Sequence, residues 1–133
     1  MSGLVDTSAL LAILRGERGH ELALEWSADG VISTVHLSET LSKASDRGIA
    51  EADVLALVAE LGLTVLPFDE ADALAAARLR PSTAGKDISF ADRACLGTAR
   101  RRGLPVISSD HDWAELGLDV ELRFFGRSVN QPT

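Results

Sequence analysis

The stretch that decides the fold is residues 89–113, with the sequence SFADRACLGTARRRGLPVISSDHDW. Its first half predicts a helix, because small residues recur three and four positions apart and three arginines followed by Gly103 form a typical C-terminal end. After Pro105, the sequence Val-Ile-Ser predicts a short buried strand. Asp92 lies in the first turn of this helix, and Asp110 follows the strand. Open α/β sheets place their ligand sites at that end of the strands.

One face of the predicted helix carries only small residues, namely Ala91, Ala94, Cys95, Thr98 and Ala99. We expect this face to lie close against a sheet, since small side chains permit a close approach. Cys95 is the single cysteine of the chain, so no internal disulfide can form, and its position predicts buried packing.

The rest of the chain alternates short apolar runs with amphipathic helical patterns. Further strands are predicted at 3–6, 31–33, 63–68 and 120–124, helices at 7–14, 21–28, 34–47, 52–61 and 69–79, and a polar loop at 82–87. This alternation predicts an α/β fold with a mainly parallel central sheet that helices cover on both faces. Because there is no internal repeat and no linker, we predict one domain over residues 1–133, in which 128–133 form a frayed tail.

Composition and charge narrow the class of protein. The 133 residues are 46% hydrophobic, yet no apolar run approaches the roughly 20 residues of a membrane helix, and no basic segment precedes the first apolar stretch as in a secretion signal. We therefore expect a cytoplasmic protein without a membrane partner. The net charge of −7 argues against binding nucleic acid by bulk charge alone. It is consistent with several acids gathered around a metal ion.

Four carboxylates from distant parts of the chain are candidates for such a cluster: Asp6, Glu39, Asp92 and Asp110. Taken singly, each has a simpler interpretation, since three of them occupy helix-cap or turn positions and Glu39 lies on the solvent side of a lone helix. Taken together, they follow strands or begin helices at one edge of a parallel sheet, so the topology brings them to one crevice.

A cluster of carboxylates has definite chemical consequences. Mutual repulsion raises some of the pKa values, and a hard divalent cation such as Mg²⁺ or Mn²⁺ removes that penalty. A cation held in this way activates water and neutralises charge on a phosphodiester. The pattern therefore indicates hydrolysis of nucleic acid.

Four segments resemble, in order and spacing, the PIN-domain ribonucleases, and more narrowly the VapC-type toxins of bacterial toxin–antitoxin pairs. They are LVDTSALL at 4–11, LSETL at 37–41, SFADRACLGTA at 89–99 and LPVISSD at 104–110. The resemblance implies a PIN-like three-layer fold and a Mg²⁺-dependent endoribonuclease that cleaves cellular RNA. It also implies a homodimer and a VapB-type antitoxin that covers the site.

Carried over residue by residue, the resemblance makes Asp6 and Asp92 the principal ligands of Mg²⁺, with Mn²⁺ as a substitute. Glu39 and Asp110 complete the quartet, directly or through water, and help to orient the attacking hydroxide. Ser108 matches a position that hydrogen-bonds near the site in this family.

Two further acids, Asp87 and Asp112, depart from the family pattern and are candidates for accessory ligands. Arg93, Arg100, Arg101 and Lys43 are candidates for contacts with RNA phosphates. The alternative for the arginines at 100–102 is that they solvate a helix end and complement its dipole.

Competing classes lack residues that they require. A receiver domain needs paired acids after its first strand, a dehalogenase-like phosphatase needs an acid where this chain has Ser8, and a dinucleotide-binding domain needs a glycine-rich first turn. The alternative that stays open is a PIN-like module that binds RNA or protein without turnover.

Overall fold

The computed structural model describes residues 3–126, and the tail predicted at 128–133 lies outside the described residues. The strands are β1 (Leu4–Val5), β2 (Val31–Ser33), β3 (Thr64–Leu66), β4 (Val106–Ser108) and β5 (Leu122–Phe124). The α-helices are α1 (Thr7–Arg15), α2 (His20–Ser27), α3 (Thr34–Asp46), α4 (Glu51–Glu60), α5 (Glu70–Ala77), α6 (Arg80–Thr83) and α7 (Phe90–Arg102). A 3₁₀ helix at His111–Leu116 separates β4 from β5.

The five strands form one parallel sheet in the order β3-β2-β1-β4-β5. The first strand is central, with Leu4 paired to Val31 on one side and to Val106 on the other. All strands therefore end at the same edge of the sheet. This confirms the predicted α/β class with a parallel sheet.

Alternate side chains of the central strands face opposite helix layers, as the pleat of a strand requires. Val5, Ile32 and Ile107 pack against residues of α1, α2 and α4. Leu4 and Val106 pack instead against Cys95, Leu96 and Ala99 of α7. The fold thus has three layers, helices on each side of the sheet, as predicted.

Helix α7 differs from the prediction in having a second close neighbour, α5. A Cβ atom added at Gly97 would lie 2.6 Å from the backbone nitrogen of Ala76 and 2.7 Å from its Cα, so only glycine permits this approach. The buried carboxylate of Asp72 on α5 also accepts hydrogen bonds from Arg101 at 2.9 Å and from Nη2 of Arg102 at 2.9 Å. The face of α7 that carries Gly97 therefore packs against α5, while Cys95 and Ala99 of the small-residue face pack against the sheet.

Two of the predicted boundaries that differ from the structure lie near a proline. The strand predicted at 63–68 is confined to Thr64–Leu66, because Pro67 cannot donate to a strand ladder. The chain around Pro81 was predicted to end a helix and enter a loop, but Arg80–Thr83 form a short helix with the proline in its first turn. That position is tolerated because its N–H would have no intrahelical partner. Over residues 3–126, no helix has the length and apolar character needed to cross a membrane.

Candidate functional site

Asp6 is the best-defined acid of the candidate site. It follows β1 directly and caps α1, since one of its oxygens, Oδ1, accepts hydrogen bonds from the backbone N–H of Ala9 at 3.0 Å and from the hydroxyl of Ser8 at 2.6 Å. Only 5% of the residue is exposed. Asp6 is therefore a cap, as its sequence position alone would suggest, and also a buried carboxylate fixed at the sheet edge.

Burial raises the pKa of Asp6 from 3.8 to about 6. Hydrogen bonds from Ser8, Ser108 and Ala9 oppose this rise, whereas the charge of Asp92 adds to it. The expectation that clustering raises carboxylate pKa values is confirmed here, although removal from water contributes more than repulsion does.

Glu39 lies on α3, one strand further along the sheet. Its carboxylate accepts a hydrogen bond from the hydroxyl of Thr7, the residue after Asp6, and its other oxygen lies 3.7 Å from Nζ of Lys43. The side chain is 26% exposed. Glu39 therefore faces the end of β1 rather than open solvent, because α3 packs against α1 and α7.

Asp92 occupies the third position of α7 and forms a capping box with Ser89. Its Oδ2 accepts from the backbone N–H of Ser89 at 2.9 Å, and the hydroxyl of Ser89 accepts from the N–H of Asp92 at 3.1 Å. Asp92 is thus a helix-cap residue, which is the simpler of its two interpretations. The carboxylate also lies close enough to Asp6 and Asp110 to raise the pKa of each.

Buried His36 connects α3 to the start of α7. Its Nε2 donates to the carbonyl oxygen of Ala91 at 3.0 Å, so its Nδ1, 3.1 Å from the hydroxyl of Ser33, is the acceptor. Burial lowers the pKa of His36, against the opposing charges of Glu39 and Asp92. The neutral ring thereby fixes the backbone beside Asp92 relative to the helix that carries Glu39.

Asp110 follows β4 and caps the 3₁₀ helix. Its backbone N–H donates to the buried hydroxyl of Ser108 at 3.0 Å, and its carboxylate accepts from the N–H of Asp112 at 3.3 Å. Burial raises the pKa of Asp110, and the charges of Asp92, Asp112 and Asp87 raise it further, against the hydrogen bond from the Asp112 backbone.

The hydroxyl of Ser8 ties the ends of two strands together. It donates to Asp6 at 2.6 Å and accepts from the backbone N–H of Ser109 at 3.0 Å. This bridge fixes the end of β4, and with it the backbone that leads into Asp110, beside Asp6. Ser108 lies on the same side, close enough to lower the pKa of Asp6.

The two additional acids lie on the outer side of Asp110. Asp87, Asp110, Asp112 and Glu115 line a crevice of about 280 Å³ together with Lys86. Asp6 and Asp92 do not line this crevice. Asp87 and Asp112 are therefore neighbours of Asp110 rather than of the buried acid.

The four predicted acids are brought together at one sheet edge but do not form a closed cage. Burial raises the pKa of the Cys95 thiol, and the charges of Asp6, Asp92 and Glu39 raise it further, so all three carboxylates act on the same buried group. Yet within residues 3–126 no group of three or more acidic, histidine or cysteine side chains is arranged to hold a metal ion. Each carboxylate is instead oriented by its own hydrogen bond, from a backbone N–H at a helix cap or from a hydroxyl group.

The candidate RNA-binding arginines have different surroundings. Arg101 is engaged with Asp72 in an ion pair at 2.9 Å, so its guanidinium links α7 to α5. Arg93 donates to the carbonyl oxygen of Ile88 at 3.0 Å. Arg100 is exposed near the end of α7. Lys43 lies beside Glu39.

The profile of the PIN domain family matches residues 3–118. The chain belongs to the PIN-domain family. The comparison with curated proteins gives no match.

Solved structures with the same PIN fold include chains of toxin–antitoxin systems. A toxin–antitoxin complex from Klebsiella pneumoniae is 24% identical, with a TM-score of 0.71, over 89% of this chain and 93% of that chain. VapC20 of Mycobacterium tuberculosis, described as a toxin that cleaves the sarcin–ricin loop, is 23% identical with a TM-score of 0.70, over 89% and 98%. FitAcB of Neisseria gonorrhoeae is 25% identical with a TM-score of 0.64, over 90% and 94%.

The donor set of this PIN domain fits a hard divalent cation, the kind of ion that PIN nucleases generally use. Among the ion pairs of residues 3–126, none includes Asp6, Asp92 or Asp110, so their charges lack a cationic side-chain partner there. Mg²⁺ is commonly bound by one or two carboxylates and retains several waters, so a preformed cage of side chains is unnecessary.

Three residues that organise the candidate site were not predicted from the sequence. Thr7 and Ser8 orient Glu39 and Asp6, and His36 joins α3 to α7. The signal for the first two is their position directly after a strand-end acid, where hydroxyls can reach both neighbouring strand ends. The role of His36 depends on a partner 55 positions away, Ala91, which no local pattern indicates.

Proposed function

We propose that this PIN domain is a Mg²⁺-dependent endoribonuclease that acts as the toxin of a toxin–antitoxin pair. The observation that carries the proposal is buried Asp6, which has a raised pKa, lies near Asp92, and has no cationic partner in the described part of the chain. Burying an unpaired carboxylate costs stability, so the arrangement favours a role in which a cation is bound. The solved toxin–antitoxin structures with the same fold support the biological assignment.

The four acids divide into two roles. Asp6 and Asp92 are the principal ligands, each with one oxygen already directed by backbone hydrogen bonds. When bound there, Mg²⁺, or Mn²⁺ in its place, would neutralise charge on the scissile phosphate and lower the pKa of water. Glu39 and Asp110 orient the attacking water and complete the acidic edge, with Ser108 supporting the loop of Asp110. Asp87 and Asp112 tune the charge around Asp110 as accessory acids.

Basic side chains near this edge bind the phosphates that flank the cleaved bond. Arg93 lies one residue beyond Asp92, and Lys43 lies one turn beyond Glu39, so both reach the same end of the sheet. Arg100 serves a more distant phosphate. Arg101 is the weakest candidate, because RNA would have to compete with Asp72 for its guanidinium.

A nuclease toxin must be silenced in the cell that makes it. We therefore expect a VapB-type antitoxin to cover the acidic edge of a homodimer in the cytoplasm, with residues 1–133 forming one PIN domain in each subunit. Exposed apolar side chains, including Leu22 and Leu24 on α2, offer surface for protein partners. Growth arrest on expression of this protein alone, relieved by co-expression of a small antitoxin, would support the pairing.

Cleavage of RNA by the purified protein tests the proposal directly. Total RNA is incubated with protein in Mg²⁺, in Mn²⁺ and in chelator, and new ends are mapped by sequencing. The proposal expects discrete new ends with either metal and none in chelator. Binding of RNA without new ends in any metal would instead support the non-catalytic PIN-like module.

A further inference from the structure

A groove beside the acidic edge has surface chemistry that suits a nucleobase. This aromatic groove is lined by Phe68, Phe90, Arg80, Arg93 and alanines of α5, and has a volume of about 480 Å³. That size is within the range of small-molecule sites. The rings of Phe68 and Phe90 meet edge to face, with centroids 6.5 Å apart.

The exposure of Phe90 is unusual for a side chain of its size. Phe90 is the first residue of α7 and is 60% exposed, the highest value among the exposed large hydrophobic residues of the described chain. The alanines opposite have small side chains, so the floor of the groove stays open beside the ring. An exposed aromatic face next to open space is the geometry on which unpaired bases stack.

The aromatic groove begins at the same edge of the sheet as the acids. Phe68 follows β3 and its backbone N–H donates to the hydroxyl of Thr34 at 3.1 Å, at the edge where Asp6 and Asp110 follow β1 and β4. Phe90 and Asp92 share the first turn of α7 but are separated by about 200° around the axis. The groove and the acidic site therefore share the N-terminal end of α7 but lie on opposite sides of that helix.

The charge of the aromatic groove favours a polyanion over an acidic peptide. In a chain of net charge −7, the two charged residues that line it are both arginines. Arg93 is held in position by its hydrogen bond to the carbonyl oxygen of Ile88. Arg80 takes part in no ion pair within residues 3–126, so its charge is available to a ligand.

We infer that the aromatic groove holds a base of the RNA substrate, one that neighbours the scissile phosphate in the strand. This base stacks on Phe90, and Arg80 and Arg93 contact the phosphates on either side. The inference rests on the proposed function and adds to it a contact that selects unpaired RNA. Phe90 is therefore a substrate-positioning residue, whereas the acids carry the chemistry.

Binding measurements in chelator test this inference without cleavage. The probes are a short oligoadenylate, a short oligouridylate and a ribose-phosphate oligomer of equal length and charge that lacks bases. We expect Phe90→Leu, which keeps an apolar side chain but removes the ring, to weaken binding of the base-containing probes about tenfold. Its affinity for the base-free oligomer should not change. Arg80→Gln should weaken binding of all three probes.

The matched control is Leu55→Ala, which alters another exposed apolar residue, on α4. It should bind every probe as the wild type does. Melting curves of Phe90→Leu should match the wild type, because the ring is mostly exposed.

The outcomes separate this inference from the proposed function. Equal affinity of the wild type for oligomers with and without bases, or unchanged RNA binding by Phe90→Leu, would overturn the base site while leaving metal-dependent cleavage intact. Unchanged RNA binding combined with loss of antitoxin binding in Phe90→Leu would assign the groove to a protein partner. A protein that neither binds nor cleaves RNA would remove both proposals.

Discussion

Acid-to-amide substitutions distinguish a metal ligand from a helix cap, because an amide keeps the shape and an acceptor oxygen but loses the charge. We expect Asp6→Asn, Glu39→Gln, Asp92→Asn and Asp110→Asn each to reduce RNA cleavage about a hundredfold or more, since even residues behind a metal ligand contribute roughly 10–100-fold. If the acids only capped helices, asparagine would serve nearly as well. Cleavage of total RNA in Mg²⁺ gives the measurement, with circular dichroism to verify folding.

The adjacent acids supply controls for these substitutions. Asp87→Asn and Asp112→Asn alter carboxylates that lie beside Asp110 but do not reach Asp6, so a milder loss is expected. A folded Asp6→Asn or Asp92→Asn protein that cleaves at the wild-type rate would overturn the catalytic assignment.

Asp6 should also destabilise the metal-free protein at neutral pH. Because its folded-state pKa is raised from 3.8 to about 6, the folded protein binds this proton more tightly than the unfolded chain does. Protonated Asp6 therefore does not destabilise the fold below about pH 4, and this stability is lost as the pH rises through about 6 and the buried carboxylate becomes charged. The rise of the Asp6 pKa from 3.8 to about 6 corresponds to about 3 kcal/mol at most.

Asp6→Asn tests this directly in chelator. The amide keeps an oxygen that can accept from Ser8 and Ala9, so we expect it to raise the free energy of unfolding at pH 7 by about 1–3 kcal/mol. At pH 4 the gain should nearly vanish. Urea unfolding at both pH values gives the measurement. A variant less stable than the wild type at pH 7 would show that the carboxylate is satisfied without a cation.

At the scale of helices, His36 determines how α3 meets α7. Removing the ring in His36→Ala loses the bond to Ala91 and leaves a cavity, so we expect a stability loss of about 2–4 kcal/mol and a fall in cleavage rate of at least about tenfold. His36→Gln retains a donor of similar reach and should restore most of the cleavage rate. Mn²⁺ titration of both variants shows whether His36 positions Asp92 or only stabilises the fold. If His36 contributes only packing, the two variants should bind Mn²⁺ with equal affinity.

The contact between α5 and α7 makes an equally specific prediction. In an ordinary helix interior, replacing glycine by alanine stabilises a protein by about 1 kcal/mol. At Gly97, however, the added methyl would meet the backbone of Ala75 and Ala76 at 2.9 Å or less. We therefore expect Gly97→Ala to destabilise the protein by about 1–3 kcal/mol. Thermal melts settle the sign, and a stabilised variant would contradict the observed packing.

These elements also show which parts of the fold the sequence could predict. The helix at Phe90–Arg102 and the strand Val106–Ser108 were predictable because small-residue spacing, caps and β-branched runs are local signals. The pairing of α5 with α7 was not, because it depends on Gly97 meeting a helix some 20 positions earlier and on Asp72 meeting arginines 29 and 30 positions away. No local pattern records which helices become neighbours.

The candidate site was predictable to a similar extent. A parallel sheet brings every strand end to one edge, so the topology predicted that all four acids meet there, and the family resemblance added the role expected of each. The direction of each carboxylate could not be assigned, because it depends on Thr7, Ser8 and Ser89 as individual hydrogen-bond donors. The sequence therefore predicts which acids assemble, but not how each of them is held.

For the whole molecule, the acidic edge makes stability depend on divalent cations. The buried charge of Asp6 destabilises the fold, and only the native fold brings Asp6 close to Asp92. A cation should therefore bind the folded state in preference to the unfolded chain. At ten to a hundred times the dissociation constant, such binding stabilises by about 1–3 kcal/mol. We expect millimolar Mg²⁺ or Mn²⁺ to raise the melting temperature by several degrees. Sodium chloride of equal ionic strength should not.

Two variants make this measurement decisive. Asp92→Asn removes one principal ligand and should abolish the response to Mg²⁺. Asp6→Asn should be more stable than the wild type in chelator but gain nothing from the metal, because the charge that destabilises the metal-free fold is the same charge that binds the cation. In chelator Asp6→Asn should melt at a higher temperature than the wild type. In Mg²⁺ this difference in melting temperature should become smaller or change sign. Equal melting temperatures with and without Mg²⁺, for wild type and Asp92→Asn alike, would exclude a metal site at this edge of the sheet.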